Sequence, residues 1–370
     1  MRTRPLPAIT LAFLFVSVVP GVAQPSPSFA PAVTFTTGNL PAAVATGDLN
    51  GDEQLDLVTA NAQANTVSIL FGNGSGGFTR SDVAVGRVPH GIAVGDLNGD
   101  GHADIVVANT ADNTATVLLG DGAGGFASSV VTTGAAPFYA KIADVSGDGI
   151  PDILVVNVTI DSLTAPSSVS VLRGLGNGTF AAKTDFSTGN GARSVTIGDL
   201  DGDGIQDLVV ARADPASSGV LVLRGTGGGN FASAVLFPTG AGSGPRYAAV
   251  ADVNGDGRLD VISANADANT VSVLLGAGNG TLGPKTDFAV GTNPRHLAVA
   301  DVNADGKPDL IVGNLTSNTV SILAGTGTGT FAAKVDLPSA GGPFFIAVPD
   351  VNSDGQSDIV VADVNGNTVS

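Results

Sequence analysis

Acidic and amide side chains recur at alternate positions of a nine-residue segment, seven times along the chain. The segments are Asp48/Asn50/Asp52/Asp56, Asp96/Asn98/Asp100/Asp104, Asp144/Ser146/Asp148/Asp152 and Asp199/Asp201/Asp203/Asp207, then Asp252/Asn254/Asp256/Asp260, Asp301/Asn303/Asp305/Asp309 and Asp350/Asn352/Asp354/Asp358. Side-chain oxygens at positions 1, 3, 5 and 9 of such a loop are expected to converge on one hard cation. Calcium accepts six to eight oxygens in a loose shell and suits the set better than small, strictly octahedral magnesium. Position 6 is Gly in six loops (Gly101, Gly149, Gly204, Gly257, Gly306, Gly355), as a backbone with φ > 0 requires. Position 7 is Gln54, His102, Ile150, Ile205, Arg258, Lys307 or Gln356. A position that accepts Ile and Lys alike is expected to offer its main-chain carbonyl. Position 2 is always Leu or Val, which would pin each loop to the core.

The competing reading is that Asp, Asn and Gly only shape turns through local backbone hydrogen bonds. Three carboxylates near 4 Å repel by roughly 1 kcal/mol per pair even in water. Over seven loops this sums to about 20 kcal/mol, above the usual net stability of about 5–15 kcal/mol, so up to seven calcium ions are expected, one per loop. Two loops depart from the pattern. Glu53 replaces glycine at position 6 of the first, which makes occupancy of that site doubtful, and Ser146 is a weaker ligand at position 3 of the third. Acidic residues number 33 against 16 basic ones, and the formal net charge is −17. Most of that acidity sits inside the loops, and nothing supplies a basic stripe, so a nucleic-acid partner is excluded.

The elements that hold these loops follow from their spacing. First residues stand at 48, 96, 144, 199, 252, 301 and 350, a recurrence of about fifty residues that marks an array of small β units. In the second unit the apolar runs 91–95, 104–109, 114–119 and 126–131, bounded by Gly and Asn, predict four short strands buried on both faces. Four antiparallel strands repeated radially describe a propeller blade, and seven loops imply seven blades. Residues 29–36 resemble a fourth strand yet precede the first loop, and the seventh unit stops within its third strand at Ser370. The N-terminal strand is therefore expected to complete the last blade and close the ring, removing exposed sheet edges.

Residues 1–23 read as an export signal. Arg2 and Arg4 precede an apolar run from Ala8 to Val19, and Gly21, Val22 and Ala23 precede a cut at Gln24. The propeller then spans 24–370, with no other stretch long enough for a membrane helix. A secreted, periplasmic or cell-surface location follows. With no cysteine for disulfides, metal is the expected source of stability there.

The unit Asp-x-Asn-x-Asp-Gly-x-x-Asp, the strand Asp260 to Asn265 and the Gly-Asn-Gly-Thr turn near Gly276–Thr281 together resemble the FG-GAP/VCBS repeat family, over residues 29–370. The resemblance implies an all-β, seven-bladed propeller like that of integrin α subunits, with calcium on one face and recognition of protein or glycan. Thrombospondin-type and dockerin repeats share the acidic motif but lack the four strands between loops.

A ligand site is expected on the face opposite the loops. The residue six before each loop's first Asp is Ala42, His90, Phe138, Arg193, Arg246, Arg295 or Phe344, with Tyr139 and Tyr247 adjoining two of them. These would ring the channel mouth and offer guanidinium groups to a uronate, sialate or protein carboxylate. The hairpin from Val158 to Ser168 is longer than its counterparts and would overhang that face. Signals for catalysis are poor. His90, His102 and His296 lack metal-ligand spacing, and no nucleophile motif is present. Gly-rich turns such as Gly72–Gly77 lack the helix a phosphate loop needs. The expected function is an adhesion or ligand-recognition module without catalysis. The alternatives are a carbohydrate-active lectin or polysaccharide lyase or hydrolase on the same scaffold, and a structural spacer joined through sequence beyond Ser370.

Overall fold

The computed structural model describes residues 28–158 and 162–370. Seven four-stranded antiparallel sheets make a propeller, and the described residues contain no helix. Blade two is typical: strands Pro89–Gly95, Asp104–Asn109, Thr114–Gly120 and Phe126–Thr132 pair in that order from the axis outward. The proposed export signal, residues 1–23, lies outside the described residues.

Burial explains the strand types. The second strand of blade two, Asp-Ile-Val-Val-Ala-Asn, is buried along its whole length because neighbouring blades cover both its faces. Such a strand reads as an unbroken β-branched run instead of an alternating one. The outermost strand, Phe126–Thr132, is mostly exposed and correspondingly polar. Ile105, Val107 and Leu118 pack toward blade one, whereas Val106, Ala108 and Val117 pack toward blade three. The core is thus a set of inter-blade layers.

The ring closes as expected, but with a shorter strand. Phe35–Thr36 pairs antiparallel with Thr368–Val369, completing the seventh sheet with Pro343–Ala347 and Val360–Asp363. Residues 29–34, expected to belong to this strand, are not in it. The third strand spans Thr368–Val369, and Ser370 continues the pairing on its inner side by exchanging both backbone hydrogen bonds with Val361. Two contacts reinforce the seam: Asn367 Oδ1 accepts the Leu40 N–H at 2.8 Å, and the Asn367 carbonyl accepts the Thr37 N–H at 3.0 Å.

The Asn367 contact is one instance of a latch on the upper face. Asn65, Asn113, Asn269 and Asn318 stand in hairpins between second and third strands, each with positive φ. Their Oδ1 atoms accept N–H groups of Val88, Ala136, Asn293 and Gly342 in the next blade, at 2.7 to 2.9 Å. Neighbouring blades are therefore tied by backbone hydrogen bonds as well as by apolar packing. On the lower face the turn between third and fourth strands rests on the preceding blade's acidic loop, as in Gly280 N–H to the Leu200 carbonyl and Gly329 N–H to the Val253 carbonyl, both at 3.0 Å.

Candidate functional site

Each acidic loop links the innermost strand to the second strand, so all seven lie at one end of the channel. In the second loop, Asp96 Oδ1 accepts the N–H groups of Asn98 and Gly99, and its Oδ2 accepts that of Gly101. Asp100 Oδ1 accepts the His102 N–H at 2.9 Å, while the exposed His102 side chain takes no comparable role. Asp104 at position 9 is buried, with Oδ2 on the Leu97 N–H at 2.7 Å and Oδ1 on the Gly120 N–H at 2.8 Å. The scheme repeats with Asp56, Asp152, Asp207, Asp260 and Asp309. Asp358 keeps half of it, accepting the Val351 N–H at 3.0 Å. Position 9 therefore fastens the loop to the end of the third strand, a role the spacing did not disclose. Glycine is needed at the donor: a Cβ on Gly120 would lie 2.4 Å from the Ala103 carbonyl oxygen.

The loop backbone is left-handed at two positions. Position 6 has φ near +80°, for example 84° at Gly101, and Glu53 is held at 64° in the first loop. Position 4 is also left-handed, with Ala304 at 58° and Ser353 at 59° where the other loops carry glycine. Position 2 is buried at Leu49, Leu97, Val145, Leu200 and Val253, and half-buried at Val302 and Val351.

In the first loop, positions 1, 3 and 5 all accept backbone N–H groups of the same loop. Position 1 accepts the N–H of position 6 at Asp48, Asp144, Asp199, Asp252, Asp301 and Asp350, at 2.7 to 2.9 Å. At position 5, Asp52, Asp148, Asp203, Asp256, Asp305 and Asp354 each commit Oδ1 to the N–H of position 7, at 2.8 to 2.9 Å. The donors there are Gln54, Ile150, Ile205, Arg258, Lys307 and Gln356, so position 7 enters this network through its N–H. At position 3, Asn50, Asn254, Asn303 and Asn352 accept the N–H of position 5 at 2.9 to 3.1 Å. The Asn50 and Asn254 amides also donate to Asp52 and Asp256, and the Ser146 hydroxyl donates to Asp144. Asn50, Asp52, Asp148, Asn254, Asp256, Asn303, Asp305 and Asp354 are thus engaged within their own loops.

These hydrogen bonds belong to the turn-shaping reading, yet they do not exhaust the carboxylates, since each has about four acceptor sites. In the fourth loop, Asp199, Asp201 and Asp207 bring one oxygen each within 4.8 Å of one another, an arrangement that could hold a cation. Asp203 stands outside that trio, and among the described residues no other loop gathers three carboxylates so closely. The reason is chemical: only this loop has an aspartate at position 3, where the others carry asparagine or Ser146. Burial raises the carboxyl pKa of Asp56, Asp104, Asp152, Asp207, Asp260 and Asp309 above the ordinary 3.8, against the lowering effect of their N–H donors. A nearby positive charge would reverse that shift.

At the opposite end of the channel, all seven residues six before the loops come together. Phe138, Arg193, Arg246, Arg295 and Phe344 line one small depression with Tyr139, Tyr247 and His296, and Ala42, His90 and Phe344 line the adjoining one. Backbone geometry explains their common direction. Every innermost strand carries an irregularity at this point, with the ladder running from Pro137 to Tyr139 past Phe138, from Ala192 to Ser194 past Arg193, and from Pro294 to His296 past Arg295. Blades one, five and seven skip Ala42, Arg246 and Phe344 alike, and in blade two the irregularity takes in His90 and Gly91. A β-bulge leaves its extra residue unpaired and re-aims the side chain. The preceding turn is strained: Leu40, Val88 and Ala136 hold φ of 58°, 53° and 49°, where most blades have glycine or asparagine.

The guanidinium groups here are largely withdrawn from water. Arg193 is 5% exposed and lies over the Phe138 ring at 5.9 Å, and Arg295 lies over Phe344 at 5.7 Å. Arg246 faces Asp267 at 3.8 Å. Burial, helped by the Arg246 charge and opposed by Asp267, pushes Arg295 down to about 10. The buried Nε atoms of Arg246 and Arg295 have no hydrogen-bond partner.

Below the arginines the channel is plugged. Tyr139, Tyr247, His296 and Phe345 stand five before their loops and meet across the axis, with His296–Phe345 centroids 3.7 Å apart and Tyr139–Phe345 6.4 Å apart. The Tyr139 and Tyr247 hydroxyls are 3.4 Å apart. The parts of His296 and Phe345 in this plug were missed; the available signal was bulk at that position in four units and Ala43, Gly91 or Ser194 in the others. In blade three, strand Asp152–Asn157 is joined to Pro166–Leu172 by residues 158–165, against 110–113 in blade two. The expected overhang includes residues 159–161, which lie outside the described residues.

A family model for the FG-GAP-like repeat matches six times, at residues 48–107, 96–155, 158–210, 199–263, 252–312 and 301–361. No curated protein matches the chain significantly. Among solved structures, hydrazine synthase of Kuenenia stuttgartiensis is similar at TM-score 0.63 and 15% identity, covering 93% of this chain and 98% of that one. The periplasmic gluconolactonase PpgL of Pseudomonas aeruginosa gives 0.59 and 20%, covering 88% and 90%. BBS1N, solved in complex with ARL6DN, gives 0.62 and 12%, covering 91% and 94%. At such identities the likeness concerns the fold alone. The six repeat matches run in step with the blades, and the chain belongs to the FG-GAP-like repeat family.

Proposed function

We propose that this protein is an exported, calcium-binding propeller that recognises an acidic group on an extracellular protein or glycan at the channel mouth opposite its acidic loops. The observation that carries the reading is the convergence of Arg193, Arg246 and Arg295, from three adjacent blades, in one depression rimmed by Phe138 and Phe344. Guanidinium groups removed from water and gathered with like charges favour an anion as partner. The aromatic rims supply flat apolar area of the kind that sugar rings and protein side chains cover.

The acidic loops support the calcium part. Their donors are hard oxygens, calcium's preferred ligands, and the three carboxylates of the fourth loop already lie close enough to share one ion. When bound, calcium would supply positive charge to the loops on which neighbouring blades rest. Asp199, Asp201 and Asp207 would hold it in the fourth loop, joined by Asp203. The matching residues would do so elsewhere once positions 3 and 5 turn from their bonds within the loop. Export is supported by the N-terminal pattern Arg2, Arg4 and Ala8–Val19, and BBS1N is an instance of the fold engaging a protein partner.

A catalytic reading has one observation in its favour: a gluconolactonase and a streptogramin B lyase share the fold. The test is an array of acidic glycans and matrix proteins, with turnover followed in parallel. Saturable binding lost in the Arg193→Ala, Arg246→Ala, Arg295→Ala triple variant, with an unchanged melt, is the expected result. Binding retained by that variant would refute the mouth as the site, and turnover of a polysaccharide would replace recognition by catalysis.

A further inference from the structure

Under the aromatic plug the channel widens into a chamber of about 390 Å³. Residues three before the acidic loops line it: Ala45, Ala93, Lys141, Thr196, Ala249 and Ala298. Five of these six are small and uncharged, so the repeat does not call for a lysine at this register. Lys141 supplies the chamber's one formal charge, and among the described residues no carboxylate pairs with it. The rest of the wall is aliphatic at Ile92, Val94, Ile142 and Val299 and aromatic at the plug, with Thr46 and Thr196 adding hydroxyl groups.

A second group points into the same question. His296 lines the chamber, is 4% exposed, and its Nε2 has no hydrogen-bond partner. Its Nδ1 accepts the Ile346 N–H at 3.4 Å, which places the ring proton of the neutral imidazole on Nε2. Burial and the nearby Lys141 charge both keep that imidazole neutral. The chamber therefore presents a cationic donor and a neutral donor, together with apolar walls.

We propose that this chamber binds a small organic monocarboxylate, its carboxylate taken by the Lys141 ammonium and the His296 Nε2–H and its carbon body by the aliphatic wall. One cation and one neutral donor match a single negative charge; a phosphate dianion would leave charge unbalanced in a site with few other polar groups. The site lies beneath the arginine mouth, shares Tyr139, Tyr247, His296 and Phe345 with it as the dividing plug, and does not rest on the function proposed above.

The test is calorimetric titration of the full chain with acetate, butyrate and benzoate, with inorganic phosphate in parallel. Saturable binding of at least one monocarboxylate is expected, weakened at least tenfold in Lys141→Ala. That variant installs the residue five other blades carry at the same register, so its melt without ligand should be unchanged or higher. Should it fail to fold, the benzoate-induced shift of the Lys141 side-chain resonance in the native protein decides, and no shift overturns the proposal. So would an absence of saturable binding, equal binding by Lys141→Ala, or binding of phosphate alone.

Discussion

Asp207→Asn separates the two roles that the carboxylates at position 9 combine. Asp207 is buried and accepts two backbone N–H groups, from Leu200 at 3.0 Å and Gly225 at 2.8 Å. Asparagine keeps one acceptor and turns an NH₂ toward the other donor, leaving a buried N–H unsatisfied at a cost of about 1–3 kcal/mol. Against this, the substitution removes a carboxylate that burial already disfavours in its charged form. In chelator the net loss should therefore fall at the low end of that range. With calcium at about one hundred times its dissociation constant, one occupied site adds about 2.7 kcal/mol to stability. Losing it should raise the effect of the substitution nearly fourfold, from about 1 to about 3.7 kcal/mol, a difference of several degrees in melting temperature for a chain of this size. Melts of both proteins in calcium and in EDTA give the four values needed, and EDTA alone should lower the native melt markedly. An equal loss in both media would refute calcium binding at this loop and leave Asp207 as a turn-shaping residue only.

Further outcomes follow from the same geometry. Glu53 is exposed at φ 64°, so Glu53→Gly should raise stability by up to about 1 kcal/mol by relieving left-handed strain, measured as a shift in the urea midpoint. Asn367→Ala removes the acceptor of the Leu40 N–H at the closing seam and should cost about 1 kcal/mol, with faster amide exchange at Leu40 as the local signature. In metal-free protein the six raised position-9 carboxyls bind more protons folded than unfolded just above 3.8, so stability should fall as pH rises through that window. Asp100 and Asp112, lowered by the backbone N–H groups of His102 and Arg87, act in the opposite sense but only below 3.8. Saturating calcium should remove the decline at higher pH, and a metal-free stability that rises between about pH 4 and 6 would contradict the assigned shifts.

The blades were legible because their code is local and repeated. Asp104–Asn109 is bounded by a loop with fixed glycines and by an Asn-containing turn, so its ends in the structure are those the sequence marks. Innermost strands were less legible: Pro89–Gly95 begins two residues before the apolar run, at a proline, because the bulge interrupts the pattern there. The N-terminal strand was overestimated, since Phe29–Thr36 looks like Phe78–Val85 in sequence, but only Phe35 and Thr36 pair, with Val369 and Thr368. In the acidic loops the spacing located every residue but not its direction. Asp52 and Asp256 sit where expected, yet the nearest donors are their own loop's N–H groups, which alternation along the sequence does not reveal. The channel plug was illegible for another reason. Tyr139 and Phe345 lie four blades apart around the ring, and only closure of the circle brings them into contact.

That contrast bears on where a repeat protein can place function. The second and third strands are fixed by packing on both faces, and the acidic loops by a dense set of backbone hydrogen bonds, so substitution in either is constrained by the blade itself. The bulged residue escapes both constraints. It has no ladder partner, its neighbours at Pro137 and Tyr139 hold the register without it, and its side chain is turned to the channel mouth. Chain positions under little structural demand can vary, and here they do: alanine, histidine, phenylalanine and arginine all occupy this place across the seven units. Arginine in three consecutive blades is therefore not demanded by the fold, and burial of such groups costs energy that Asp267 offsets at Arg246 and Arg295. The cost falls at the rim, where the turns entering these three strands carry Gly191, Gly244 and Asn293 at positive φ, and not in the inter-blade layers that carry stability.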